Sequence, residues 1–259
     1  MKKLKMNYDR KKIVKKIIEL SSEKNEGHIP SSLSIIDILY VIYNKIMDIY
    51  KIKKGLPYRD RFILSKGHAS LGLYVILNEI KLLNDELKNF CNYNSTLGGH
   101  PTTKEPFIET STGSLGHGLP ISVGMAMSYK IQNFKEKIYV LIGDGESNEG
   151  TIWESALLAS HHKLNNLYCI MDYNHSGDRA LKIDSILSKF ESFGWDCLEI
   201  DGHNLIDIER SLTHKSDKPI FILANTIKGK GCKIMENNPE WHHKSPSNEE
   251  LKKILSHII

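Results

Sequence analysis

Cysteine is scarce in this sequence and never clustered: Cys91, Cys169, Cys197 and Cys232 are its 4, far apart and without a Cys-x-x-Cys pair. That spacing excludes a zinc ribbon, a redox dithiol and a disulfide-stapled scaffold, and all four are expected to be reduced structural thiols. Long hydrophobic runs are missing as well. No apolar stretch reaches the roughly 18 residues that span a bilayer, and the Lys-rich start from Met1 to Lys12 leads into alternating charged and apolar residues rather than a signal-peptide core. A cytoplasmic chain with no membrane partner is the expectation. Neither sign of charge dominates: 35 Lys and Arg face 31 Asp and Glu, and the net +4 is spread along the chain, which argues against a nucleic-acid partner. There is no internal repeat, no low-complexity linker and no Gly-x-x-x-x-Gly-Lys-Ser/Thr loop, and that last absence removes the P-loop phosphoryl transferases.

What remains is an ordinary globular composition, 40% hydrophobic and 25% charged over 259 residues, with strongly patterned segments. Ile13, Val14, Ile17 and Ile18, then Ile35, Ile36, Leu39, Ile42 and Ile46, recur at helical spacing and predict two amphipathic helices flanking the loop Glu26-Gly27-His28-Ile29-Pro30. Short apolar runs bounded by Gly or polar residues predict strands at Phe62-Leu64, Ile138-Ile142, Leu167-Met171, Cys197-Ile200 and Ile220-Ala224. Longer helical patterns separate them, so the expected class is α/β, with a mostly parallel central sheet covered by helices on both faces. Ser247-Asn248-Glu249-Glu250 reads as the capping box of a final helix.

In a sheet of this kind, ligands sit beyond the carboxyl ends of the strands. The loops there read Ser65-Lys66-Gly67-His68, Gly143-Asp144-Gly145-Glu146, Asp172-Tyr173-Asn174-His175 and Lys228-Gly229-Lys230-Gly231. Asp144 leaves a buried strand between two glycines, where backbone can approach a phosphate closely. A helical pattern from Thr151 to Leu164 and a second strand bring Asn174 beside it, thirty positions later. Each motif alone reads equally as a surface turn or a left-handed loop residue. Together, a carboxylate and an amide oxygen suit Mg²⁺, which takes its remaining ligands from phosphate and water.

Twelve histidines would ordinarily be scattered over surface and core. Five segments stand out instead: Gly27-His28, Gly67-His68, Gly99-His100-Pro101, Gly116-His117-Gly118 and Trp241-His242-His243. Imidazoles can donate to diphosphate and sugar hydroxyls and can move protons near neutral pH.

Gly143-Asp144-Gly145-Glu146-Ser147-Asn148-Glu149-Gly150, Trp153-Glu154, Leu164-Asn165-Asn166-Leu167 and Asp172-Tyr173-Asn174 together resemble the thiamine diphosphate motif of the transketolase family. The resemblance extends from about Arg10 to Pro246. It implies a thiamine diphosphate-binding fold and a divalent metal, Mg²⁺ with Ca²⁺ or Mn²⁺ as substitutes, held by Asp144, Asn174 and the Ser176 carbonyl. Further implied cofactor contacts are His68, Gly113, Leu115, Gly116, Gly143, Gly145, Glu149 and His242. The resemblance also assigns His28, His68, His100 and His242 to catalysis, with His28 and His100 facing the sugar. Glu149 and Glu154 match acids at a subunit contact, although for Glu154 a helix-start acid favoured by the dipole explains the residue equally well.

Three departures stand out: His117 replaces the usual Gln, His243 replaces a small residue, usually Gly, and Ser176 stands where relatives carry an apolar residue. A backbone ligand tolerates any side chain, so the last change bears on packing beside the cofactor ring and on the acceptor.

A full transketolase continues into a pyrimidine-binding and a C-terminal domain. The resemblance therefore implies that residues 1–259 are a single diphosphate-binding domain, the N-terminal subunit of a split enzyme. A C-terminal subunit would carry the pyrimidine domain and the activating Glu in an α2β2 assembly. The implied reaction moves a two-carbon ketol unit from a ketose or ketose phosphate to an aldose through a thiamine diphosphate carbanion. Alternatives are a deoxyxylulose-phosphate-synthase-like or specialised sugar transfer on the same scaffold, or a non-catalytic binding subunit.

Overall fold

The computed structural model describes residues 8–258, so the beginning of the Lys-rich segment lies outside the described residues. In chain order the elements are α1 (Arg10–Lys24), α2 (Ile29–Leu33), α3 (Ile36–Val41), α4 (Ile49–Lys53), β1 (Arg61–Leu64), α5 (Ser70–Glu79), α6 (Gly118–Ile131), β2 (Ile138–Gly143), α7 (Gly150–His161), β3 (Leu167–Tyr173), α8 (Ile186–Ser192), β4 (Asp196–Asp201), α9 (Leu205–Thr213), β5 (Ile220–Asn225) and α10 (Asn248–Leu255). The five strands pair in the order β1-β2-β3-β5-β4, every pair parallel. All five lie where alternating short apolar runs predict them.

Strand periodicity sorts the core into two layers. Along β2, Ile138, Val140 and Ile142 face one way and pack with Leu119, Val123 and Ala126 of α6 and Ile152 and Ala156 of α7. Tyr139 and Leu141 face the other way, into the cluster that includes Ile13, Val14, Ile17 and Ile18 of α1 and Leu73, Val75 and Ile76 of α5. β3 alternates likewise, with Cys169 and Met171 on the first side and Tyr168 and Ile170 on the second. Central strands of a parallel sheet are buried on both faces, which is why these runs are continuously apolar.

α1 begins at Asp9, whose side chain accepts the Lys12 N–H at 3.0 Å. α10 begins with the expected capping box of Ser247 and Glu250. The second helix expected from Ile35 to Ile46 starts where its spacing predicts, at Ile36, but ends in a π-helical turn and has no wet face over most of its length, and the end of the expected loop at Glu26–Pro30 is already helical as α2. The chain forms α2, then α3, then a π-helical turn over Ile42–Ile46. The physical reason is burial on every side: Ile29 through Tyr43 are all buried, including Ser31, Ser32, Ser34 and Asp37. A segment with no wet face takes its shape from its neighbours, and the Ser34 hydroxyl donates both to Ser31 O at 3.1 Å and to the Asp172 carboxylate at 2.8 Å.

Asp37 anchors this segment to the loop after β5. It accepts from Tyr8, from Arg10 at 3.2 Å and from His203 Nδ1 at 2.8 Å. Because His203 Nε2 accepts the Ile227 N–H at 2.9 Å, Nδ1 carries the proton. Arg10 also donates to Lys230 O at 2.8 Å, and Gly229 N–H donates to Pro30 O at 3.0 Å. The loop bearing Lys228 is thereby fixed against α2 and α3. All four cysteines are free, and no helix among the described residues is long and apolar enough to cross a membrane.

Candidate functional site

Beyond the carboxyl ends of β1, β2, β3 and β5 lies a cavity of about 590 Å³ whose lining includes His28, His68, His100, Asp144, Asn174 and His242. Gly113, Leu115, Gly143, Gly145, Glu149 and Ser176 also line it. The residues that the resemblance implies for cofactor, metal and catalysis all line it except Gly116. Gly116 is buried behind the lining, its N–H donated to Glu146 Oε1 at 2.9 Å and its carbonyl accepting the Thr151 hydroxyl at 2.8 Å. Glu154 is exposed on α7, outside the lining.

The oxygen-rich corner is built from the loops after β2 and β3. Asp144 Oδ1 accepts the Gly145 N–H at 2.8 Å and the Ser176 hydroxyl at 3.3 Å, and Oδ2 accepts the Gly177 N–H at 3.2 Å. Asn174 donates its amide N–H to Asp172 at 2.9 Å, so its Oδ1 is the end left to face the loop, where it accepts Ser176 N–H at 3.1 Å. A Cβ at Gly177 would lie 2.7 Å from Gly145 N. Only glycine lets these two loops meet backbone to backbone, which brings the Asp144 carboxylate, the Asn174 amide oxygen and the 176–177 backbone together. That donor set, all hard oxygens with the competing amide nitrogen tied back, fits a small dication such as Mg²⁺.

Beneath this corner the floor contains a buried ion pair. Lys66 and Asp172 are 1% and 0% exposed, and the Lys66 ammonium donates to Asp172 Oδ2. Asp172 also accepts from Ser34, Asn174 and Thr226. Burial would raise its carboxyl, but the Lys66 charge and the hydrogen bonds of Lys66, Thr226 and Ser34 hold it below the usual carboxylate range. Glu146 is the second buried carboxylate. Oε1 accepts from Ser65 at 2.5 Å and from Gly116 N–H, and Oε2 accepts Gly143 N–H at 2.8 Å, so it joins the loops after β1 and β2 to the turn before α6. Its pKa is raised, burial outweighing those bonds.

The opposite wall is cationic and rich in imidazoles. Burial, then the Lys66 charge, lower His68 to about 2, and burial with His243, His242 and His100 lowers His28 to about 4. Both are neutral at physiological pH and available as hydrogen-bonding groups. His28 holds a left-handed backbone, φ 69°, a conformation uncommon outside glycine, and its ring lies 5.2 Å from His68 and 5.7 Å from His242. Lys228 approaches His242 Nδ1 at 2.9 Å. Burial and the nearby Lys66 lower Lys228 to about 8, as expected of a cation held where an anion is wanted. A second cavity of about 550 Å³ adjoins the first, sharing Asn174, Ser176, Lys228 and His242 and adding His175, Arg179, Asn237 and Asn238.

The sequence places Lys66, Glu146, Asp172 and Lys228 in these loops without giving any of them a part. Their signal is position: each stands within three residues of a strand end. What position alone does not reveal is the pairing of Lys66 with Asp172 across 106 residues.

The chain matches the family model described as "Transketolase, thiamine diphosphate binding domain" over residues 10–257. It is 38% identical over 253 residues to one subunit of the apulose-4-phosphate transketolase of Phocaeicola vulgatus, covering 94% of this chain and 90% of that subunit. To the 6-deoxy-6-sulfo-D-fructose transketolase subunit SqwG of a Clostridium species it is 34% identical over 251 residues, covering 90% and 88%. Among solved structures, transketolase of Campylobacter jejuni superposes with a TM-score of 0.84 at 29% identity, covering 98% of this chain and 44% of that one.

Proposed function

The chain belongs to the transketolase family through its thiamine diphosphate-binding domain, and from that membership we propose that it is the diphosphate-binding subunit of a two-chain transketolase. In this reading it acts with a C-terminal subunit that supplies the pyrimidine domain and the activating Glu, in an α2β2 assembly. The observation that carries the reading is the single cavity lined by Asp144, Asn174, four imidazoles and Lys66, whose ammonium pairs with Asp172 beneath it. Both bacterial relatives are named as one subunit of a transketolase, which supports a partner chain. So do exposed apolar side chains on α6 and α7, where Ile121, Leu157 and Leu158 are 37%, 54% and 45% exposed. Four free cysteines support a reducing, cytoplasmic setting.

Thiamine diphosphate, when bound, supplies the electron sink that carbon–carbon cleavage and ketol transfer require. The chain's own residues do the rest on this side. Asp144, Asn174 and the Ser176 carbonyl would hold Mg²⁺, which would offset the diphosphate's charge, and Lys228 and His68 would donate to that anion. Asp172 positions Asn174 by holding its amide N–H, and Lys66 balances the charge of Asp172. His28 and His100 hydrogen-bond the sugar hydroxyls. His242, with Lys228 at its Nδ1, takes or returns a proton at the substrate oxygen. Arg179 and His175 at the adjoining cavity support an acceptor or donor with an anionic end. The two relatives' names, a sugar phosphate and a sulfo-sugar, agree with this.

Native mass spectrometry of the tagged chain drawn from its source, with Mg²⁺ and thiamine diphosphate kept in the buffer, tests the proposal. A hetero-oligomer carrying cofactor, which then extends aldoses by two carbons when given ketose phosphates, is the expected result. A bare homo-oligomer without cofactor would instead favour a non-catalytic binding subunit.

A further inference from the structure

At the lip of the cavity, Glu26 and His243 approach His28. The carboxylate oxygen and the two ring nitrogens all lie within 4.8 Å of one another. The His28 and His243 rings meet edge-on, centroids 4.4 Å apart. None of the three side chains has a hydrogen-bond or ion-pair partner among the described residues.

The backbone holding them is firmly placed. A Cβ on Gly27 would lie 3.0 Å from the His243 carbonyl carbon and 3.1 Å from Lys244 N, so glycine there lets the closing segment settle against residues 26–28. That segment is also tied to the end of α1, where Ser22 donates to Pro246 O at 2.9 Å and Ser245 donates to Ser21 O at 2.5 Å. Glu26 N–H donates to the same Ser21 O at 3.1 Å. One anchor therefore sets the position of both ligand-bearing segments.

We propose that Glu26, His28 and His243 form a site for a transition-metal dication of the zinc class, separate from the oxygen site at Asp144 and Asn174. Two imidazoles and one carboxylate form a donor set that takes Zn²⁺, Co²⁺ or Ni²⁺ in preference to Mg²⁺. A tetrahedral ion with ligands at about 2.0–2.1 Å spaces them about 3.3 Å apart. The trio therefore closes by at most about 1.5 Å from its 4.8 Å limit, a motion within reach of the Glu26 side chain and the exposed His243 ring. The fourth position stays open to water. Because His28 also lines the cofactor cavity, an ion held here withdraws that imidazole from sugar handling and acts as a brake, a consequence that rests on the function proposed above.

The test is a titration of the tag-free full chain with Co²⁺ in excess Mg²⁺, following the visible absorption of tetrahedral cobalt. The expected result is one equivalent bound, displaced by Zn²⁺, lost in Glu26→Gln and His243→Ala and kept in Asp144→Ala. Absence of the band, or its survival in His243→Ala, would overturn the site. His243 is exposed, so this variant decides the matter even if Glu26→Gln fails to fold. In the assembled complex, Zn²⁺ should inhibit the native chain at least tenfold more than His243→Ala, and equal inhibition tells against the brake. A complex that turns nothing over would count against the functional reading, and the cobalt titration would still decide the site.

Discussion

The floor of the cavity and its walls both gather ionisable side chains, in opposite conditions. On the floor, Asp172 accepts from Lys66, Ser34, Asn174 and Thr226, and Glu146 accepts from Ser65 and two backbone N–H groups. Every carboxylate oxygen there is engaged within the protein. On the walls, Lys228, His28 and His68 are held at lowered pKa values by burial and by like charges. The contrast separates scaffold from site: groups that satisfy one another fix the shape, and groups left wanting a counter-charge mark where a ligand belongs.

Breaking the floor should have the largest effect. Asp172→Ala leaves Lys66 buried without its partner and releases Asn174, and we expect a loss of about 3–5 kcal/mol, the scale for uncoupling a buried ion pair, read by urea denaturation. Changing the walls should leave folding nearly intact and act on chemistry. His242→Ala should lower turnover of the assembled enzyme by ~10² or more, and an unchanged rate would remove it from the mechanism.

The pH dependence of stability sharpens the contrast. His28 and His68 have folded values of about 4 and about 2 against 6.5 in the unfolded chain. Below 6.5 the unfolded chain binds more protons, so stability is full above 6.5 and is lost as pH falls toward 4. Of the floor carboxylates, Asp172 has a lowered value and contributes loss only below its ordinary 3.8, while Glu146, raised by burial, takes up its proton first in the folded chain and offsets part of the histidines' loss. Melting temperature should therefore begin to fall near pH 6.5, and either His28→Asn or His68→Asn should make that limb shallower between pH 6.5 and 4.

The smallest effect is the most diagnostic in sign. Lys228 is depressed to about 8, so its charge destabilises the ligand-free fold. After discounting for solvent screening, Lys228→Met should raise the melting temperature by about 2–4 °C, the scale of ~1 kcal/mol in a chain of this size, while weakening cofactor retention.

Much of this fold and site is legible in the sequence. The five strands announce themselves because a two-sided parallel sheet demands unbroken apolar runs, Asp144 and Asn174 stand at strand ends, and His28, His68 and His100 each follow a glycine. The helix α2 and the π-helical turn that ends α3 are not legible, since the first falls in a Gly- and Pro-marked loop and the second in a run, Leu39, Ile42 and Ile46, that keeps ordinary helical spacing, and only tertiary burial overrides both. Nor is the Lys66–Asp172 pair, because charge complementarity between distant residues leaves no trace in local pattern. The meeting of Glu26, His28 and His243 is hidden for the same reason, two segments joined only by packing against the end of α1.

The most direct test of the central claim is equilibrium dialysis of thiamine diphosphate with the assembled complex, with and without Mg²⁺, comparing the native chain with Asp144→Ala. Asp172 and Glu146 are already fully engaged and cannot replace Asp144. Mg²⁺-dependent retention is expected in the native complex and its loss in the variant, with little change in melting temperature. Full Mg²⁺-dependent retention by Asp144→Ala would contradict the assignment of the metal and diphosphate site.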